Sequence, residues 1–146
     1  MAKNFKLQPV LNYRQTLEDQ AQQQLTGSLQ RQSQLGDELQ QQQQRIEQLD
    51  LQLQEKQREG LMIAELELFE AQIMHHRQQI LRLQEQLATL ERQILDEREQ
   101  LLGAARDRQV MEKLKEKQQA EYQQELARKE RGLLDEISLR NKGDMA

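Results

Sequence analysis

Two adjacent imidazoles, His75 and His76, are the first side chains in this sequence with the means to do chemistry, and metal ligation is what they would do. Zinc-type pairs on a helix need i, i+3 or i, i+4 spacing to share a face, whereas neighbours point about 100° apart. His76 falls on an apolar stripe and His75 beside it, so a structural position for the first and a solvent-facing one for the second is the expectation. The run Lys113-Leu114-Lys115-Glu116-Lys117 offers cations for a phosphate backbone. Glu112 and Glu116 neutralise it, and no aromatic is placed for base stacking, so a solvated face is expected and no nucleic acid. The six glycines are scattered and form no phosphate-cradling loop. With no Cys and no Ser–His–acid set that a pair of helices could enclose, catalysis has no foothold, and neither a metal nor a cofactor is expected.

The elements that carry these residues read as helices throughout. Thirty of the 146 residues are Gln, only Phe5, Tyr13, Phe69 and Tyr122 are aromatic, and the single proline, Pro9, sits where it can occupy a first helical turn. Charges of both signs are interspersed, giving a net charge of −4. The most apolar run, 60–69, is too short to span a bilayer and is interrupted by Glu65 and Glu67.

A strict 3–4 spacing picks out Leu11, Arg14, Glu18, Ala21, Leu25, Ser28, Gln32, Leu35, Leu39, Gln42, Ile46, Leu49 and Leu53 as the seam of a first helix, about 8–58. Leu7, Val10, Leu17 and Ala21 form a competing stripe at its start. Gly27 and Gly36 weaken this helix without ending it, and the five glutamines at 40–44 form a solvated face of it. Gly60 is the break, with a turn at about 59–63. A stronger seam then runs through Leu66, Phe69, Ile73, His76, Ile80, Leu83, Leu87, Leu90, Ile94, Glu97, Leu101 and Ala104, in a second helix of about 64–140.

The fold class is therefore all-α: one long antiparallel two-helix coiled-coil hairpin, a single domain over 1–146, with an overhanging C-terminal helix. With the turn near 60, residue i of the first helix faces roughly residue 120 − i of the second. Pro9 then lies opposite the region around 111, and Gly103, Ala104 and Ala105 come near Tyr13 and Leu17, small against large. The seam disappears where the first helix runs out, which leaves 111–137 with no intramolecular partner. Its sparse stripe of Leu114, Tyr122, Leu126, Leu133 and Ile137 is expected to meet another molecule or the arm at Phe5 and Leu7. The pairs Glu125–Lys129 and Glu136–Arg140 would support that overhang by about 0.2–0.5 kcal/mol each. At the turn, Leu61, Met62, Ile63, Leu66 and Phe69 either form a docking surface or cap a small core of their own.

The two ends of the chain carry a resemblance. Phe5, Leu7, Val10, Leu11, Arg14 and Glu18 make a Phe-x-Leu-x-x-Val-Leu-x-x-Arg-x-x-x-Glu start. Glu112, Leu114, Lys115, Glu121–Tyr122, Glu130 and Leu134–Asp135–Glu136–Ile137 make the matching end. Together they resemble the flagellar type III export protein FliJ family, from residue 5 to about 140. The resemblance implies a two-helix stalk, like that of a rotary ATPase's gamma subunit, seated on the flagellar export ATPase ring and connecting it to the membrane-embedded export gate.

It further implies a general chaperone of export, with export chaperones as further partners and effects on flagellum assembly, motility and chemotaxis. The implied location is cytoplasmic, peripheral on the inner membrane at the flagellar base, without membrane insertion. On this reading the ATPase-binding residues are Phe5, Leu7, Val10, Arg14, Leu114, Tyr122, Leu126, Asp135, Glu136 and Ile137. The export gate would be met by Leu66, Phe69, Ile73 and His76, a placement that rests on helix spacing. A virulence-type injectisome stalk or a generic coiled-coil scaffold are the alternatives.

Overall fold

The computed structural model describes residues 4–144, of Asp144 the backbone alone, and among these it contains two α-helices and no strand. Helix α1 is Gln8–Glu59, 52 residues, and helix α2 is Ile63–Asp144, 82 residues. Pro9 sits in the first turn of α1, where a missing N–H costs nothing. The turn is opened by the Gln8 N–H donating to the Phe5 carbonyl at 3.0 Å and the Leu11 N–H to that of Leu7 at 3.0 Å. Lys56 and Arg58 occupy the last turn of α1, where cations oppose the helix dipole. Gly60 follows with φ of 105°, a conformation L side chains rarely adopt, and this ends the helix.

The chain divides into two compact units, 21–101 and 1–20 with 102–146. The first is a closed antiparallel hairpin. Leu25, Leu35, Leu83, Leu90 and Ile94 form its core, with Leu39, Leu87 and Leu101 packed against it. Leu49 is 1% exposed, nearer the turn. Every seam position that the spacing assigns to this unit is buried or half-buried. The cross-helix polar contacts fix the register: Ser28 meets Glu97, Gln42 meets His76, and Lys56 lies 3.6 Å from Glu65. These pairings scatter around the 120 − i expectation, as seams of long side chains do.

The second unit pairs the start of α1 with the α2 residues from Leu102 onward. Leu11 is 3% exposed, while Leu7 and Val10 are 43% and 38% exposed, so the seam starts through Leu11, and of the competing stripe only Leu17 and Ala21 are half-buried. Two expectations are corrected here. Tyr13 is 58% exposed and a Cβ at Gly103 would meet nothing within 4 Å, so Tyr13 does not pack against that glycine, while Leu17, Ala104 and Ala105 are half-buried. The half-buried positions of α2 also continue past 111, through Lys115, Gln118 and Tyr122 at heptad spacing. The stretch without cover is thus 123–143, where every residue is exposed, rather than the whole of 111–137.

The ion pairs expected on the overhang, Glu125–Lys129 and Glu136–Arg140, are absent from the four that the described residues form. The i, i+4 pair that does form is Arg108–Glu112, at 2.8 Å. Fully solvated charges gain too little from pairing to offset the ordering of two long side chains.

Candidate functional site

The residues with binding potential lie in two places, one in each unit. In the unit that holds the N-terminal segment, the charged members of the starting motif pair across to α2, Arg14 partly exposed and Glu18 half-buried. Arg14 Nη1 donates to Asp107 Oδ2 at 3.3 Å, and Glu18 accepts from Arg108 Nε. Arg108 also reaches Glu112, and the hydrogen bonds to Glu18 and then Glu112 hold its guanidinium even more firmly charged than usual. In the sequence Arg108 stands only at the seam spacing continued four residues beyond Ala104. Its link to Glu112 follows i, i+4 spacing, but the link to Glu18 needs the register.

The other residues assigned to ATPase binding are arranged unevenly. Phe5 and Tyr122 are half-buried. Leu114, Leu126 and Ile137 are 44%, 36% and 51% exposed, and Asp135 and Glu136 face solvent. At about 100° per residue, Leu126, Leu133 and Ile137 fall within a sector of about 40°, with Tyr122 at its edge and Leu114 about 120° away. The uncovered run therefore presents one apolar strip on which Leu114 does not lie. Leu134 and Leu139, 65% and 69% exposed, add apolar surface outside it.

The turn belongs to the hairpin unit. Ile73 is 7% exposed and packs within the hairpin, and Leu66, Phe69 and His76 are half-buried. The apolar surface there is supplied instead by Met62, Ile63 and Leu68, at 70%, 77% and 64% exposure. Lys56, Glu65, Leu68, Phe69 and Gln72 line a shallow hollow beside it. Seam spacing selects the side chains that face the partner helix, so it selects the ones least available to a third party.

His76 Nδ1 is within hydrogen-bonding distance of Gln42 Oε1, which fits a neutral ring carrying its proton on Nδ1. Its pKa lies below 6.5 because burial penalises the charged ring, with smaller contributions from His75 and Arg45. The two histidine rings stand edge to face, 5.4 Å between centroids, and no group of three metal-ligating side chains occurs among the described residues.

The hairpin also contains a buried polar pair. Ser28 Oγ donates to Glu97 Oε1 at 2.9 Å, and Gln93 Nε2 donates to the same oxygen at 2.9 Å. Glu97 is 3% exposed and its other oxygen, Oε2, has no partner.

No helix among the described residues is long and apolar enough to cross a membrane. Neither a curated protein nor a solved structure matches the chain significantly. The family model described as "Flagellar FliJ protein" matches residues 3–143. That match takes in both end motifs, the paired seams and the uncovered run of α2, and with it the chain belongs to the flagellar FliJ protein family.

Proposed function

We propose that this chain is the stalk that couples the flagellar export ATPase ring to the membrane-embedded export gate, on the cytoplasmic face of the inner membrane. The observation that carries the reading is the uncovered stretch 123–143 of α2, with its apolar strip of Leu126, Leu133 and Ile137. A helix of this length spans about 30 Å, and it continues a seam whose partner strand has run out. Isolated helices gain most of their stability from packing, so a strip kept apolar and uncovered is explained by a partner that covers it.

On this reading the ATPase ring takes that strip together with the exposed Leu7 and Val10. Arg14 and Glu18 position the segment through Asp107 and Arg108, and the partly exposed Arg14 is also open to the ring. The export gate is met at the turn by Met62, Ile63 and Leu68, with Leu66 and Phe69 at the edge of the contact; Ile73 and His76 support it from inside the hairpin. Export chaperones carrying amphipathic helices are further occupants for the same apolar strip, which gives the general-chaperone role. Loss of the chain then stops flagellum assembly, and motility and chemotaxis fail with it.

The test is the rate of the cognate export ATPase titrated with this chain at sub-stoichiometric ratios, beside a chain carrying Leu126→Ser, Leu133→Ser and Ile137→Ser. The intact chain is expected to raise the rate and the triple variant to leave it at its basal value. Equal rates with both chains would remove the strip from the ATPase contact.

A further inference from the structure

Within the hairpin unit, α2 carries a second apolar row outside the seam. Met74, Leu81 and Leu95 are 55%, 61% and 61% exposed, and with the exposed Ala88 they recur every seventh residue. Seven-residue spacing keeps a row straight along a two-stranded coiled coil, so these four side chains line one outer face of the hairpin. Helix α1 has no equivalent: its exposed large apolar residues in this unit, Leu29 and Leu51, do not share heptad positions.

The charges beside the row decide what covers it. Three and four residues after each row member come Arg77 and Gln78, Gln84 and Glu85, Glu91 and Arg92, Arg98 and Glu99. All eight are exposed, and none of the charged ones takes part in an ion pair. When two copies of such a helix pack in parallel and in register, the i+3 residue of one meets the i+4 residue of the other. Glu91 then meets Arg92 of the second copy, and Arg98 meets its Glu99, each contact occurring twice. Arg77 and Glu85 meet glutamines, so no like charges are opposed. An antiparallel pairing centred on Ala88 would set Glu85 against Arg92 of the second copy but Arg77 against its Arg98, so its one attraction is cancelled by one repulsion.

We propose that this outer face of α2 is a self-association surface, on which a second copy of the intact hairpin packs in parallel through Met74, Leu81, Ala88 and Leu95. Three large side chains bury well under the roughly 1,000 Å² that a stable interface needs, so the pair is transient and forms at high local concentration. The inference is independent of the stalk reading, because it uses neither the uncovered run nor the turn.

Sedimentation equilibrium of the full chain over a wide concentration range tests it. The weight-average mass is expected to rise above 17.4 kDa toward twice that value as concentration increases. Leu81→Glu with Leu95→Glu should hold the mass at the monomer value with helix content unchanged, since both positions are exposed. Arg98→Glu should weaken association several-fold by opposing Glu99 of the second copy, and adding Glu99→Arg should restore it. Because the chain has no cysteine, Leu81→Cys should crosslink to itself on oxidation only in the parallel register. A constant monomer mass, association that survives the double glutamate variant, no rescue by the charge swap or no crosslink would each overturn the proposal. So would a row that binds an amphipathic helix of another protein while the chain stays monomeric.

Discussion

Ser28 and Glu97 show how much a single seam position can decide. The carboxylate is buried with two donors on one oxygen and none on the other, so it depends on the hydroxyl across the seam. Removing one partner of a buried charged hydrogen bond costs more than the bond contributes, because the other partner keeps its desolvation penalty. Ser28→Ala is therefore expected to lower stability by about 1–3 kcal/mol in urea titrations. Ser28→Ala with Glu97→Leu should recover most or all of that loss, since an apolar pair leaves nothing unsatisfied.

His76 makes the corresponding statement about pH. Its folded pKa is lowered, so the unfolded chain holds the proton more tightly than the folded one. The contribution is present above pH 6.5 and is lost as pH falls from there through the lowered value. Unfolding free energy should thus drop on acidification below neutrality, and His76→Gln should flatten that part of the curve. A proton titration of the ring by NMR would report a midpoint under 6.5.

At the scale of the helices, the glycines separate by position. A Cβ at Gly27 or Gly36 would meet nothing within 4 Å, and both lie inside α1. Gly27→Ala and Gly36→Ala should each stabilise the hairpin by about 0.5–1 kcal/mol, through the backbone entropy that glycine loses in a helix. Gly60 has equal room but a φ of 105°. Gly60→Ala should cost about 1–3 kcal/mol or shift the turn, so the same substitution changes sign between helix and turn. Thermal melts of the three variants followed by circular dichroism would resolve that ordering.

For the molecule as a whole, the uncovered end of α2 is the part that packing does not hold. Amides in 123–143 should exchange with solvent far faster than those around Leu25, Leu35 and Leu90, because local helix opening there disrupts no buried contact. Ending the chain after Tyr122 should leave the urea midpoint of the remainder nearly unchanged, while activation of the export ATPase disappears. A large fall in the midpoint would mean that the stretch packs on the rest of the chain.

Helix content, the two seams and the break at Gly60 were legible in the sequence for one physical reason. A 3–4 repeat of leucines in a glutamine- and glutamate-rich chain can bury its apolar atoms only as paired helices, and a glycine after a cationic last turn is where such a chain reverses. The end motifs from Phe5 to Glu18 and from Glu112 to Ile137 likewise pointed to the family from type and spacing alone. Periodicity says which face is apolar but not how far the opposite strand reaches. The cover extending to Tyr122, the exposure of Tyr13 and the pairing of Arg14 and Glu18 with Asp107 and Arg108 were therefore settled only by the packed structure. So was the exchange at the turn, where the seam residues Ile73 and His76 went inside and Met62, Ile63 and Leu68 stayed out. A seam is defined by what it hides, and only the packed pair of helices determines what is left to show.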